Sequence, residues 1–91
     1  MNFGLTKQFK KDVQKLKTEN PKLSSKVLDL IISIENYPNQ PLSGIGQPEL
    51  LKGNLAGCYS RRISQKHRLI YRYSASDKVE FISCYGHYSD K

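Results

Sequence analysis

Between Glu49 and Asp77 the chain has no acidic residue, while Lys52, Arg61, Arg62, Lys66, Arg68 and Arg72 all fall in that stretch. Further on, His87 lies between Tyr85 and Tyr88. A carboxylate, an imidazole and a group of cations suffice to cleave RNA without a metal. A base takes the proton of the 2′-hydroxyl, an acid protonates the leaving 5′-oxygen, and cations hold the charge that develops on phosphorus. A carboxylate among arginines stays ionised, and a histidine gives up a proton near neutral pH, which suits Glu49 as base and His87 as acid. Tyr85 and Tyr88 are candidates for stacking on a nucleobase, because aromatics interleaved with cations are what single-stranded RNA recognition uses. No metal or other cofactor is expected. Cys58 and Cys84 lack metal-type spacing and read as small core residues rather than a disulfide.

Each of these residues also has an ordinary reading. A lone glutamate in a loop between proline and leucine is commonly a surface charge, and a histidine close to a chain end is commonly a tail residue. The Arg61-Arg62 doublet is the best hint of phosphate contact that residue type alone supplies. Side chains alternate across a strand, so Arg61 and Arg62 point to opposite faces and only one of them can share a face with a given site. By the same alternation Arg68, Ile70 and Arg72 lie on one face, and His67, Leu69, Tyr71 and Tyr73 on the other. A helix-covered face prefers Leu69 and the tyrosines, which leaves Arg68 and Arg72 toward solvent or substrate. His67, at a turn-to-strand boundary, reads as structural, and Tyr59, Tyr71 and Tyr73 as packing residues.

The elements that must position these groups follow from periodicity. Leu5, Phe9, Val13 and Leu16 recur at helical spacing behind Thr6, a plausible N-cap. Asn20-Pro21 stops that helix, and Leu23, Val27, Leu30, Ile31 and Ile34 define a second one that ends near Tyr37-Pro38. The two form an αα-hairpin. Residues 39–46, with a proline and two glycines, read as loop. Beyond them, 57–63, 68–73 and 79–85 are short runs rich in Tyr, Ile, Val and Phe, separated by polar turns. They predict three hairpin-linked antiparallel strands. The fold class is therefore α+β, a helical hairpin packed on one face of a small antiparallel sheet.

With 91 residues the chain is expected to be a single domain, 1–91, near the size at which a second subunit or a bound partner adds substantially to stability. Its 15 Lys+Arg against 8 Asp+Glu give a net charge of +7, which points to a polyanion. Charge of this kind also serves solubility. The first residues run into Lys7 with no apolar stretch and no small-residue cleavage site, so a cytoplasmic location is expected. The densest apolar run, at residues 28–32, is far too short to span a bilayer, and no membrane association is expected.

Read continuously, Gly44-Ile45-Gly46-Gln47-Pro48-Glu49-Leu50-Leu51-Lys52, Asn54-Leu55-Ala56-Gly57, Ser60-Arg61-Arg62-Ile63, His67-Arg68-Leu69-Ile70-Tyr71 and the closing His87-Tyr88 resemble the YoeB/Txe toxins of type II toxin–antitoxin systems, in the RelE/ParE superfamily. The resemblance runs from Ser43 to Tyr88 and keeps the motifs in order. It implies a RelE-like fold with a first short strand, two helices and a three-stranded meander. It implies an mRNA interferase, an endoribonuclease that cuts mRNA on the ribosome in the decoding site, and a cognate antitoxin; a homodimer is a further expected partner. By motif, Glu49 would be the general base, His87 the general acid and Arg68 the stabiliser of the transition-state phosphate. Lys52 and Arg62 would contribute phosphate contact, and Tyr88 would position or stack the substrate. The remaining candidates for RNA contact are Arg61, Arg72 and Tyr85. The chain departs from the family pattern at Leu50, where a second proline is usual, and at Tyr85-Gly86, where an Arg-Tyr pair is usual. Gly86 is expected to loosen the backbone beside His87.

Two other readings compete. A non-catalytic RNA- or ribosome-binding regulator would keep the basic sheet and do no chemistry. A gyrase-targeting toxin of the same superfamily would share the fold, but the combination of Glu49, Arg68 and His87-Tyr88 suits RNA cleavage instead.

Overall fold

The computed structural model describes residues 2–75 and 78–86. The proposed His87 and Tyr88 lie outside these. The elements in chain order are β1 (Asn2–Leu5), α1 (Lys7–Glu19), α2 (Pro21–Asn36), β2 (Glu49–Leu50), a single 3₁₀ turn (Gly53–Leu55), β3 (Tyr59–Arg62), β4 (Arg68–Ala75) and β5 (Lys78–Ser83).

Both helices begin where the sequence supplies a cap. Thr6 Oγ1 accepts from the Phe9 amide at 3.0 Å and donates to the Ile82 carbonyl at 2.7 Å, so one hydroxyl starts α1 and fastens it to β5. Asn20 ends one helix and starts the next. Its amide donates to the Leu16 carbonyl at 2.7 Å and its side-chain oxygen accepts from Lys22, with Pro21 in the first helical position, where a missing amide costs nothing.

The sheet has the order β1-β5-β4-β3-β2. The expected meander β3–β4–β5 is present and antiparallel, with Arg61 opposite Leu69, Arg62 opposite Arg68 and Tyr71 opposite Phe81. Two further strands extend it. β1 runs parallel to β5 at one edge, making the sheet mixed rather than purely antiparallel, and β2 pairs with β3 at the other. Glu49 therefore lies on a strand and not in a loop.

Phe9, Leu16, Val27, Leu30 and Ile34 pack against Ile63, Leu69, Tyr71, Val79, Phe81 and Cys84. Each fully buried side chain of this kind contributes about 1.5–3 kcal/mol, so this layer between hairpin and sheet holds the fold together. Leu5, placed on the helical stripe by periodicity, belongs instead to β1 and is exposed. The opposite face of the sheet carries a smaller cluster in which Leu51 and Cys58 cover Ile70. Both cysteines are free and buried. Burial and the nearby Asp12 carboxylate push the Cys84 thiol up to about 12, which keeps it an unreactive packing group.

One acid is built into the core. Asp12 is only 5% exposed, accepts from the Cys84 amide at 3.0 Å and from Gln8 Nε2 at 2.7 Å, and so ties α1 to the end of β5. Asp12→Ala leaves a buried amide without a partner and is expected to cost about 1–3 kcal/mol, read as a lower midpoint in urea unfolding with an unchanged slope.

Candidate active site

Strand register gathers the basic half of the chain on the face that the helices leave uncovered. Glu49 stands opposite Ser60, Arg62 stands opposite Arg68, and Ser60 and Arg62 are two residues apart on β3, hence on one face. Together with Gln47 and Pro48 these four side chains line an open cleft of about 290 Å³. Lys52 lies on a recess beside it that shares Glu49.

Two arginines directly across an antiparallel pair repel each other, a destabilising arrangement that an anion between them would relieve. Arg68 is 9% exposed and its Nη1 is held by the carbonyls of Ser64, Gln65 and His67 at 2.6, 3.2 and 3.1 Å. Its guanidinium is thereby fixed before any ligand arrives. The carboxylate and the two cations that sequence reasoning singled out are thus brought together, and Ser60 and Gln47, which it passed over, join them. Ser60 was detectable in principle, because it alternates with Arg62 along the same strand.

Arg61 is the principal correction. The sequence makes it a candidate for RNA contact, yet it is fully buried on the helix side of the sheet. Its Nε donates to Tyr71 Oη at 2.9 Å, Nη1 to the Ile45 carbonyl at 2.8 Å, and Nη2 to the Ser43 carbonyl at 2.8 Å, with longer contacts to Ser33 Oγ and the Pro41 carbonyl. The guanidinium serves as the core of the loop that leads into β2. Gly46 crosses this core at φ +88, where an added Cβ would sit 2.6 Å from Leu30 Cδ2, and its carbonyl accepts from the Arg62 amide at 2.6 Å. Gln47, at φ 51, then turns the chain toward Pro48 and Glu49. The buried arginine places the carboxylate and does not touch the cleft.

Arg72 and Tyr85 are also placed elsewhere. Arg72 shares the open face but pairs with Glu80 at 2.8 Å, and the cleft lining does not include it. Tyr85 donates to Glu19 Oε1 at 2.7 Å, its ring lies 4.4 Å from that of His67, and Lys15 Nζ stands 4.2 Å from its centroid. It fastens residues 85–86 to α1, with its ring engaged by His67 and Lys15 rather than lining the cleft. Gly86, expected to loosen the backbone, is held at both ends. Its amide donates to His67 Nδ1 at 2.8 Å and its carbonyl accepts from the Arg68 amide at 3.0 Å, at a φ of +82 that favours glycine. Among the described residues no group of three or more His, Cys, Asp or Glu is arranged to hold a metal, and no helix is long and apolar enough to cross a membrane.

Known proteins are similar to this chain in both sequence and architecture. The family described as YoeB-like toxin of bacterial type II toxin-antitoxin system matches residues 5–88. Toxin YoeB of Synechocystis sp. is 43% identical over 70 residues, which are 77% of this chain and 78% of that protein. Toxin RelK of Mycobacterium tuberculosis is 46% identical over 55 residues, 60% of this chain and 64% of that one. Among solved structures, the YoeB dimer of Staphylococcus aureus superposes with a TM-score of 0.83 at 38% identity, covering 97% of this chain and 98% of that one. The heterotetrameric YoeB-YefM toxin-antitoxin complex of the same species does so with a TM-score of 0.81 at 38% identity and the same coverage. A family match over residues 5–88 and a fold shared over nearly the whole chain leave one assignment: the chain belongs to the YoeB-like toxins of bacterial type II toxin–antitoxin systems, with their RelE-like α+β fold.

Proposed function

We propose that this toxin is an endoribonuclease that cuts mRNA in the decoding site of the ribosome without a metal ion. The observation that carries the reading is the cleft itself, which Glu49 on β2, Arg62 on β3 and a fixed Arg68 on β4 line together. Glu49 takes the proton of the 2′-hydroxyl and the 2′-oxygen attacks phosphorus. The bond from phosphorus to the 5′-oxygen breaks as His87 delivers a proton to that oxygen, leaving a 2′,3′-cyclic phosphate and a 5′-hydroxyl. Arg68 and Arg62 stabilise the charge on the non-bridging oxygens, Lys52 extends the phosphate contact, and Tyr88 positions the substrate. The ribosome contributes by holding the RNA in line for attack, a source of rate that a small open cleft cannot supply alone.

A cognate antitoxin would cover this cleft with an acidic segment, in keeping with the net charge of +7 and with the YoeB-YefM complex of S. aureus. Self-association, as in the S. aureus YoeB dimer, is the second expected assembly.

The test is induction of the toxin in cells, with mRNA 5′ ends mapped while translation runs and again with initiation blocked. New ends in coding sequence that vanish when initiation is blocked, and that His87→Gln abolishes, are the expected result. Growth arrest without new ends would overturn the nuclease reading.

A further inference from the structure

His67 is a buried titratable group that this mechanism leaves unused. The residue is 5% exposed, its ring lies 4.4 Å from that of Tyr85, and its backbone amide donates to Ser64 Oγ at 3.1 Å. Its Nδ1 accepts the Gly86 amide at 2.8 Å, and the adjacent Arg68 amide donates to the Gly86 carbonyl at 3.0 Å. That carbonyl belongs to the peptide bond that joins Gly86 to His87 in the sequence. Residue 86 is therefore pinned, through both its backbone polar groups, to the strand that carries Arg68. A donor at Nδ1 would face the donor of Gly86, so this geometry requires the neutral imidazole with its proton on Nε2.

We propose that His67 is a positioning residue for the cleavage reaction, its neutral ring holding the backbone of Gly86, which precedes His87 in the sequence, against the strand that carries Arg68, and that proton uptake by His67 releases this hold. Its effect on rate rests on the nuclease reading above; the clamp itself does not. The groups that face the ring are Lys66 from the turn, Lys15 and Glu19 from α1, and Tyr85. Burial is the main influence, with Lys66 next, and both lower the pKa of His67 from its ordinary 6.5, against a smaller upward pull from Glu19. The neutral ring is thus the working form at physiological pH. Because the unfolded chain takes up this proton near pH 6.5 and the folded chain only at lower pH, folding stability declines as pH falls below about 6.5.

Two substitutions separate the acceptor from the ring. His67→Asn keeps an acceptor, Oδ1, at the same number of bonds from Cα as Nδ1, and does not titrate. His67→Phe keeps a ring against Tyr85 and has no acceptor. The experiment follows the Gly86 amide by 15N NMR across pH 5 to 8, about the range in which histidine titrates, and measures single-turnover cleavage of mRNA on programmed ribosomes by the same proteins. In the wild type the Gly86 resonance should move with the His67 titration, a component that His67→Asn removes while His87 stays in place. His67→Phe should lower the maximal rate by about tenfold to a hundredfold with the half-saturating toxin concentration unchanged. His67→Asn should restore most of that rate and lose the acid-side decline.

A Gly86 amide blind to the His67 titration, or a folded His67→Phe protein with the wild-type maximal rate, would overturn the proposal. If His67→Phe fails to fold, an unchanged acid-side decline in His67→Asn would overturn it equally. A wild-type protein that cleaves no RNA at any pH, with a Gly86 amide that still follows His67, would bring down the nuclease reading and support the clamp alone.

Discussion

Replacing Arg61 with methionine should cost about 3–5 kcal/mol of stability, a large part of what a domain of this size possesses. The side chain is fully buried and donates to Tyr71 Oη and to the carbonyls of Ser43 and Ile45, all within 2.9 Å. Methionine has a similar reach and no donor, so it leaves those oxygens enclosed without partners while avoiding a large cavity. Lysine keeps the charge but cannot span the same acceptors, because its three protons leave one atom whereas the guanidinium spreads its donors across a plane. Thermal and urea unfolding of both variants would measure this. A melting temperature within a few degrees of the wild type for Arg61→Met would show that the loop at residues 41–45 does not depend on the guanidinium. Since that loop runs into β2, any Arg61→Met protein that still folds should also cut RNA more slowly.

Glu49→Gln should lower the cleavage rate on programmed ribosomes by about a hundredfold to ten-thousandfold, the usual span for loss of a general base. Gln keeps the shape of the side chain and its place opposite Ser60, so binding to ribosomes should change little. The contrast with Arg62→Met is diagnostic. Losing one phosphate contact should weaken binding and reduce the slope of log affinity against log salt by about one. Equal binding losses in the two variants would show that Glu49 works only through the charge of the cleft, and the binding-regulator reading would gain at the expense of the nuclease.

Much of the fold was legible from spacing and punctuation. The cap at Thr6, the break between the helices at Asn20-Pro21, and the alternation along β4 that sends Leu69 and Tyr71 inward and Arg68 and Arg72 outward are local features, and local features are written in short stretches of sequence. What escaped depends on distant parts of the chain. Glu49–Leu50 is too short to show a period, and it becomes a strand only because β3 lies beside it. β1, which periodicity passed over and the family resemblance alone implied, pairs with residues far along the chain, which no local window contains.

Asp12 left a trace, since an acid lies on the helical face between Phe9 and Leu16, but its partner is the Cys84 amide, which a side-chain pattern does not reveal. Arg61 misled for a sound reason. An arginine doublet beside a cleft is what phosphate binding looks like, and only the carbonyls of a folded loop could reveal that one of the pair faces inward. Tyr85 misled in the same way, as an aromatic among cations whose company turned out to be Lys15, Glu19 and His67.

The contacts that join the first elements to β5 also set an order of events during synthesis. Thr6 waits for Ile82, 76 residues later, and Asp12 waits for Cys84, 72 residues later. A nascent chain can form its helical hairpin early, but the sheet has no inner edge for β1 until β5 has emerged. Gly86 must emerge later still before the His67 and Arg68 contacts can close. Until β5 has emerged the sheet is therefore incomplete, and the contacts that pin Gly86 beside the strand of Arg68 are the last of these to close.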